Sequence, residues 1–138
     1  IDVGAVGNWA ERRGIAYSGY ADLAGKQQVL ELIKECVGKI NEELVAEGML
    51  ADSQIHRFLV LHKELDADDG ELTRTRKVRR RFIAEKYLPL IDALYAGARS
   101  CFIETQVRFE DGRTGMVSAD LKIADSKTFA AAQVKRAA

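Results

Sequence analysis

The segment Thr73-Arg74-Thr75-Arg76-Lys77 sets two hydroxyls and a lysine at alternate positions, and Arg79, Arg80 and Arg81 follow it. Lysine is a compact charge on a flexible stem, suited to a phosphate or a carboxylate. Arginines offer planar, two-pronged phosphate contacts. The spacing predicts a loop that runs into a helix start, where free N–H groups and the helix dipole favour anions. Such a loop can handle an anionic substrate. The charges around it are sorted: five carboxylates lie in Glu64–Glu71 (Glu64, Asp66, Asp68, Asp69, Glu71), and seven cations against the single acid Glu85 lie in Arg74–Lys86. The plain alternative is a pair of solvated surfaces that screen each other.

Other residue types point to less. His56 and His62 lie six apart, which would put them on one face of a strand. With no third ligand at hand, they are read as structural or surface histidines, and no metal site is assigned. "GAVG" at Gly4–Gly7 is too short for a phosphate-binding loop. Ser18, Ser53, Ser100, Ser118 and Ser126 have no nucleophile-elbow context. Cys36 and Cys101 lie far apart with no metal-binding spacing, the pattern of two reduced thiols in a cytosolic protein. The 138 residues carry 21 basic and 21 acidic side chains, and this zero balance argues against a dedicated nucleic-acid binder.

Several elements must hold that loop. Val6–Arg13 has helical spacing and ends at Gly14. Lys26–Glu47 is the strongest pattern, with Val29, Leu30, Ile33, Val37, Ile40 and Leu44 recurring at three- and four-residue steps before Gly48. Ile55–His62 is a branched apolar run that predicts a strand. Lys63–Leu72 reads as a polar turn, tightest at Asp69-Gly70. Val78–Tyr95 is helical, broken near Leu88 by Pro89, the sole proline. Cys101–Phe109 alternates, with Ile103, Thr105, Val107 and Phe109 on one face. "EDGR" turns the chain, and Thr114–Ile123 returns with Val117, Ala119, Leu121 and Ile123 inward. The expected fold is therefore α+β: a short mixed or antiparallel sheet flanked by helices, with an added C-terminal hairpin. Residues 124–138 are expected to be a helical or frayed tail.

"VGNWAERRGIAY", "FLVLHKELDADDGELTRTRKVRRRFIAEKY", "LIDALY" and "ETQVRFEDGRTG" together resemble the C-terminal domain of the AMP-forming acyl-CoA synthetases, and within them the long-chain fatty acyl-CoA synthetase branch. The resemblance covers residues 1–123. Thr73-Arg74-Thr75-Arg76-Lys77 is similar to that family's C-terminal lysine motif, Thr-x-Thr-x-Lys with basic residues after it. Many relatives have proline where this chain has Arg74. The wider superfamily has glycine where this chain has Arg76.

The resemblance implies a mobile lid that serves a separate adenylation core, with the hinge just upstream of Ile1. Lys77 would be the catalytic lysine of adenylation. Thr73, Thr75, Arg79 and Arg80 would face phosphates of ATP or CoA. ATP and CoA would be co-substrates, with Mg2+ in the parent enzyme and nothing held tightly by this segment, which alone should be inactive. The expected partners are the N-terminal core of the same polypeptide and a long-chain fatty acid, not nucleic acid. The parent would be cytoplasmic, with peripheral attachment to the inner membrane face as an option. The competing readings are a basic helix, Arg74–Lys86, that grips nucleic acid or an acidic protein, and a domain whose hairpin edge binds a partner.

Overall fold

The computed structural model describes residues 1–131. Helix α1 (Val3–Arg12) is capped by Asp2, whose carboxylate accepts the Ala5 N–H at 2.9 Å. It stops where Gly14 takes a φ of +67°, which lets the Ile15 N–H reach back to Ala10 O at 3.0 Å. A short helix α2 (Tyr20–Gly25) and the long α3 (Gln27–Ala46) follow. Val6, Ala10, Leu23 and Val29 bury themselves together as the core of this helical half, with Trp9, Tyr17 and Ile33 packed against them.

A 3₁₀ turn at Ala51–Ser53 leads to strand β1 (Arg57–Leu59). Helices α4 (Arg80–Lys86) and α5 (Leu88–Ala96) meet at Tyr87, with Pro89 in the first turn of α5, where its missing N–H costs no helix bond. Strands β2 (Ser100–Arg108) and β3 (Thr114–Asp125) form the hairpin, in register from Ser100 opposite Lys122 to Arg108 opposite Thr114. All pairings are antiparallel in the order β1-β3-β2, so the hairpin's return strand is the centre of the sheet. Its inner face packs Ile103 and Leu121 against Tyr87 and Leu90, with Leu59, Leu61, Leu65 and Ile83 around them. The α+β class, the antiparallel sheet and the flanking helices are as the sequence predicts.

Three expectations need correction. Ile55–His62 yields only three strand residues, because β3 meets the run only at Arg57–Leu59. Beyond Leu59 the chain leaves that edge, and His62 comes under the hairpin with Nε2 3.4 Å from Thr105 Oγ1. His62 is buried and His56 exposed, so the pair shares no face and no ligand geometry. Phe109, expected on the inner face, is 53% exposed and instead lays its ring over Gly115.

Polar side chains tie the two halves together. Buried Asn41 on α3 donates to Ile55 O (2.8 Å) and Lys127 O (2.9 Å) and accepts the Ile55 N–H (2.8 Å). Gln54 clamps Phe129 in both directions at 2.8 Å. Thus Lys127–Phe129 is fastened to the body outside any helix or strand, while residues 132–138 of the expected tail lie outside the described residues. Arg57 joins β1 to the end of α5, bonding Leu94 O at 2.7 Å and Asp125 at 2.9 Å.

Candidate functional site

The Thr-x-Thr-x-Lys segment is a tight hairpin loop. The Arg79 N–H donates to Glu71 O at 3.0 Å, and Leu72 bridges Val78. The Thr73 N–H then donates to Lys77 O at 2.8 Å, which closes the loop. Inside it the Arg76 N–H reaches Thr73 O at 2.9 Å, the closing bond of a four-residue turn. Arg74 is the second residue of that turn, a position that accepts proline readily.

Both threonines help to build the turn. Thr73 Oγ1 accepts the Lys77 N–H at 3.0 Å and lies 3.1 Å from Thr75 Oγ1. Arg76 takes a φ of +60°, and among the described residues it is the only non-glycine in that region. A side chain there costs about 1–2 kcal/mol, which explains why glycine suits this place in the motif.

Lys77 itself is exposed, and among the described residues its ammonium has neither an acidic partner nor a hydrogen bond. The same holds for the side chains of Arg74, Arg76 and Arg80. Arg79 is engaged locally: its guanidinium bonds Gly70 O at 2.7 Å and lies 4.9 Å over the Phe82 ring. Arg81 pairs with Glu85 at 3.3 Å. The loop therefore gathers Thr73, Thr75 and Lys77 at one tip, with Arg80 at the start of α4 and Arg79 turned back onto the acidic turn.

Two carboxylates of that acidic turn are withdrawn from solvent, while Glu64, Asp66 and Asp68 stay exposed. Glu71 is fully buried, and its carboxylate receives the Lys63 ammonium, the Lys86 ammonium at 3.2 Å, the Tyr87 hydroxyl and the Asp66 N–H at 3.1 Å. Asp69, nearly buried, binds Lys63 at 3.0 Å and accepts the Arg108 N–H of β2 at 2.7 Å. Burial alone would raise the Glu71 carboxyl, but Lys63, Tyr87 and the Asp66 N–H outweigh it and hold the group below its ordinary range. Asp69 is likewise lowered against the effect of burial, by the Arg108 N–H and by Lys63 and Lys86. Burial, then the Glu71 carboxylate, pushes the Tyr87 hydroxyl far up. His62 is held below its usual value by burial and by the charges of Lys63 and Lys86, with Glu71 opposing.

Sequence reasoning passed over this cluster. Its members at positions 63, 69, 71, 86 and 87 follow no helical or strand period, and Glu71 is one carboxylate among five. One signal was available: a tyrosine at a helix junction deep among apolar residues needs a partner for its hydroxyl.

Beside the loop runs an open groove of about 560 Å³ between the two halves, lined by Tyr20, Ile33, Leu59, Leu61, Leu65 and Arg76 among others. No helix of the described residues is long and apolar enough to cross a membrane.

Comparison with known proteins gives the site its context. No family model matches the chain, and no solved structure does. The chain is 33% identical over 72 residues, 52% of its length, to the long-chain-fatty-acid–CoA ligase ACSBG2 of Gallus gallus. It is also 33% identical over 96 residues, 69% of its length, to the long-chain-fatty-acid–CoA ligase FadD15 of Mycobacterium tuberculosis. The chain spans only 9% of the first and 15% of the second. Over those residues it is thus related in sequence to fatty acid–CoA ligases of the acyl-CoA synthetase family.

Proposed function

We propose that the chain is the C-terminal lid of an AMP-forming long-chain fatty acid–CoA ligase, with Lys77 as the lysine of its adenylation step. The observation that carries this reading is an exposed lysine, unpaired among the described residues, on a hydrogen-bonded loop in a chain related to ligases of that substrate class. Adenylation joins a fatty carboxylate to the α-phosphate of ATP and expels pyrophosphate, so negative charge crowds the reacting centre. A cation delivered there stabilises the charge as it develops and orients the carboxylate. Because no acidic group among the described residues neutralises the ammonium, its full charge is available to the reactants.

The second step, attack of the CoA thiol on the acyl-adenylate, needs no such cation. A lid that withdraws Lys77 between the steps suits a loop-borne lysine. Thr73 and Thr75 shape the turn. Arg80, with no acidic partner among the described residues, is better placed for a phosphate of ATP or CoA than Arg79, whose guanidinium is already engaged. ATP, with its Mg2+, belongs to the adenylation core of the same polypeptide, and no residue of this chain is assigned to the ion. The segment alone is inactive, and the parent is cytoplasmic, with peripheral attachment to the inner membrane face as a further option.

The reading of Arg74–Lys86 as a nucleic-acid or acidic-protein grip is weaker. Arg79, Arg81 and Lys86 are engaged within the chain, which breaks up the basic face that such a grip requires. The test uses the complete polypeptide with palmitate, ATP and CoA. Formation of palmitoyl-CoA with release of AMP and pyrophosphate, lost when residues 1–138 are deleted, is the expected result. Release of ADP, or undiminished turnover by the deleted form, would overturn the proposal.

A further inference from the structure

Glu71 spends its side chain and its backbone on different tasks. The side chain, 0% exposed, gathers Lys63, Lys86, Tyr87 and the Asp66 N–H, which come from the segment after β1, the acidic turn and the end of α4. The backbone starts the ladder that carries the catalytic loop: Glu71 O with Arg79 N–H, then Leu72 with Val78, then Thr73 N–H with Lys77 O. Two residues earlier Asp69 ties the same turn to β2 through the Arg108 N–H and shares Lys63 with Glu71. A turn by itself needs none of this. Two lysines and a tyrosine collected on one buried carboxylate hold a single point of backbone against two other segments. That point is the first rung of the ladder that ends at Lys77.

We infer that Glu71 is a positioning residue for adenylation: its buried carboxylate fixes the base of the Thr73–Lys77 loop, and so the place to which the Lys77 ammonium is delivered, without touching substrate. This rests on the reading of Lys77 given above. A small displacement of a group that must meet a reacting phosphate can cost on the order of 10²-fold in rate. Among the described residues Asp69 anchors the same turn, but only Glu71 is itself a rung of the ladder that carries the loop.

The test is a double-mutant cycle in the complete polypeptide with Glu71→Gln and Lys77→Ala, read in two half-reactions. One is fatty-acid-dependent pyrophosphate exchange, and the other is thioester formation from preformed acyl-adenylate and CoA. Glu71→Gln is expected to lower exchange by about 10- to 10²-fold in the native background. In the Lys77→Ala background, where there is no ammonium left to position, it should cost no more than roughly twofold. Thioester formation should be spared by both changes.

Equal losses of exchange in both backgrounds, or equal slowing of both half-reactions by Glu71→Gln, would make Glu71 a support of the fold alone and overturn the inference. Unchanged exchange in Lys77→Ala alone would instead remove the reading on which it rests. Should Glu71→Gln fail to fold, Tyr87→Phe decides. It removes one donor to Glu71 and keeps the ring, and a loss confined to exchange that vanishes without Lys77 supports the inference. A loss in both half-reactions contradicts it.

Discussion

Two loops of this molecule are built to one hydrogen-bonding plan. In the hairpin, the Phe109 N–H donates to Arg113 O at 2.8 Å and the Gly112 N–H to Phe109 O at 2.9 Å, with Gly112 at a φ of +83°. In the lysine loop, the Thr73 N–H donates to Lys77 O at 2.8 Å and the Arg76 N–H to Thr73 O at 2.9 Å, with Arg76 at +60°. The turns match; their foundations do not. The hairpin loop stands on strand pairing, and its charged tip closes on itself, Arg113 to Asp111. The lysine loop has three rungs and a buried carboxylate beneath them, and its tip leaves Arg74, Arg76 and Lys77 unpaired among the described residues. Turn geometry alone therefore does not distinguish the two loops. The difference lies in which charges are spent at the base and which are kept free at the tip.

The largest way to break the comparison is at the base. Glu71→Gln leaves Lys63 and Lys86 without the buried charge they share, and should destabilise the fold by about 3–5 kcal/mol in urea unfolding. The same cluster sets the acid limb of stability. Glu71 and Asp69 have folded values below their ordinary 4.5 and 3.8. Their contribution is therefore present above about pH 4.5 and is lost as pH falls toward the folded values. A stability profile below pH 4.5 should be flatter in Glu71→Gln than in the native chain. An unaltered acid slope would show that the network does not act as a charged cluster.

Smaller effects follow from exchanging the residues of the two loops. Gly112→Arg puts a side chain where the hairpin loop now has none, a strain of about 1–2 kcal/mol that a stiffer unfolded chain offsets by about 0.5–1 kcal/mol, so the net loss in the same measurement should lie between about 0 and 1.5 kcal/mol. Arg76→Gly is the reverse change. It relieves the left-handed strain but frees the unfolded chain by about 0.5–1 kcal/mol, so the net gain should lie between about 0 and 1.5 kcal/mol. A clear loss would mean that the Arg76 side chain stabilises the loop through the groove that it lines.

Much of the scaffold was legible because it follows a period. The apolar stripe gives α3 to within a residue of each end, Pro89 marks the α4–α5 junction, and alternation gives the hairpin and its inner face. The motif itself marked the loop. Features set by distant partners were not legible. The length of β1 depends on where β3 passes, and Phe109 lies beyond the last paired strand residues, free to turn onto Gly115. The buried cluster joins side chains from position 63 to position 87 across an irregular turn, so composition could not separate the anchoring Asp69 and Glu71 from the exposed Glu64, Asp66 and Asp68.

The central claim is that Lys77 is kept free for adenylation, and the most direct measurement is Lys77→Ala in the complete polypeptide. Pyrophosphate exchange with a long-chain fatty acid should fall by ~10²-fold or more. Thioester formation from preformed acyl-adenylate should hold near its native rate, and folding stability should stay within about 0.5 kcal/mol. Unchanged exchange, or equal loss in both half-reactions, would contradict the account and reduce the Thr73–Lys77 loop to a charged turn on the surface.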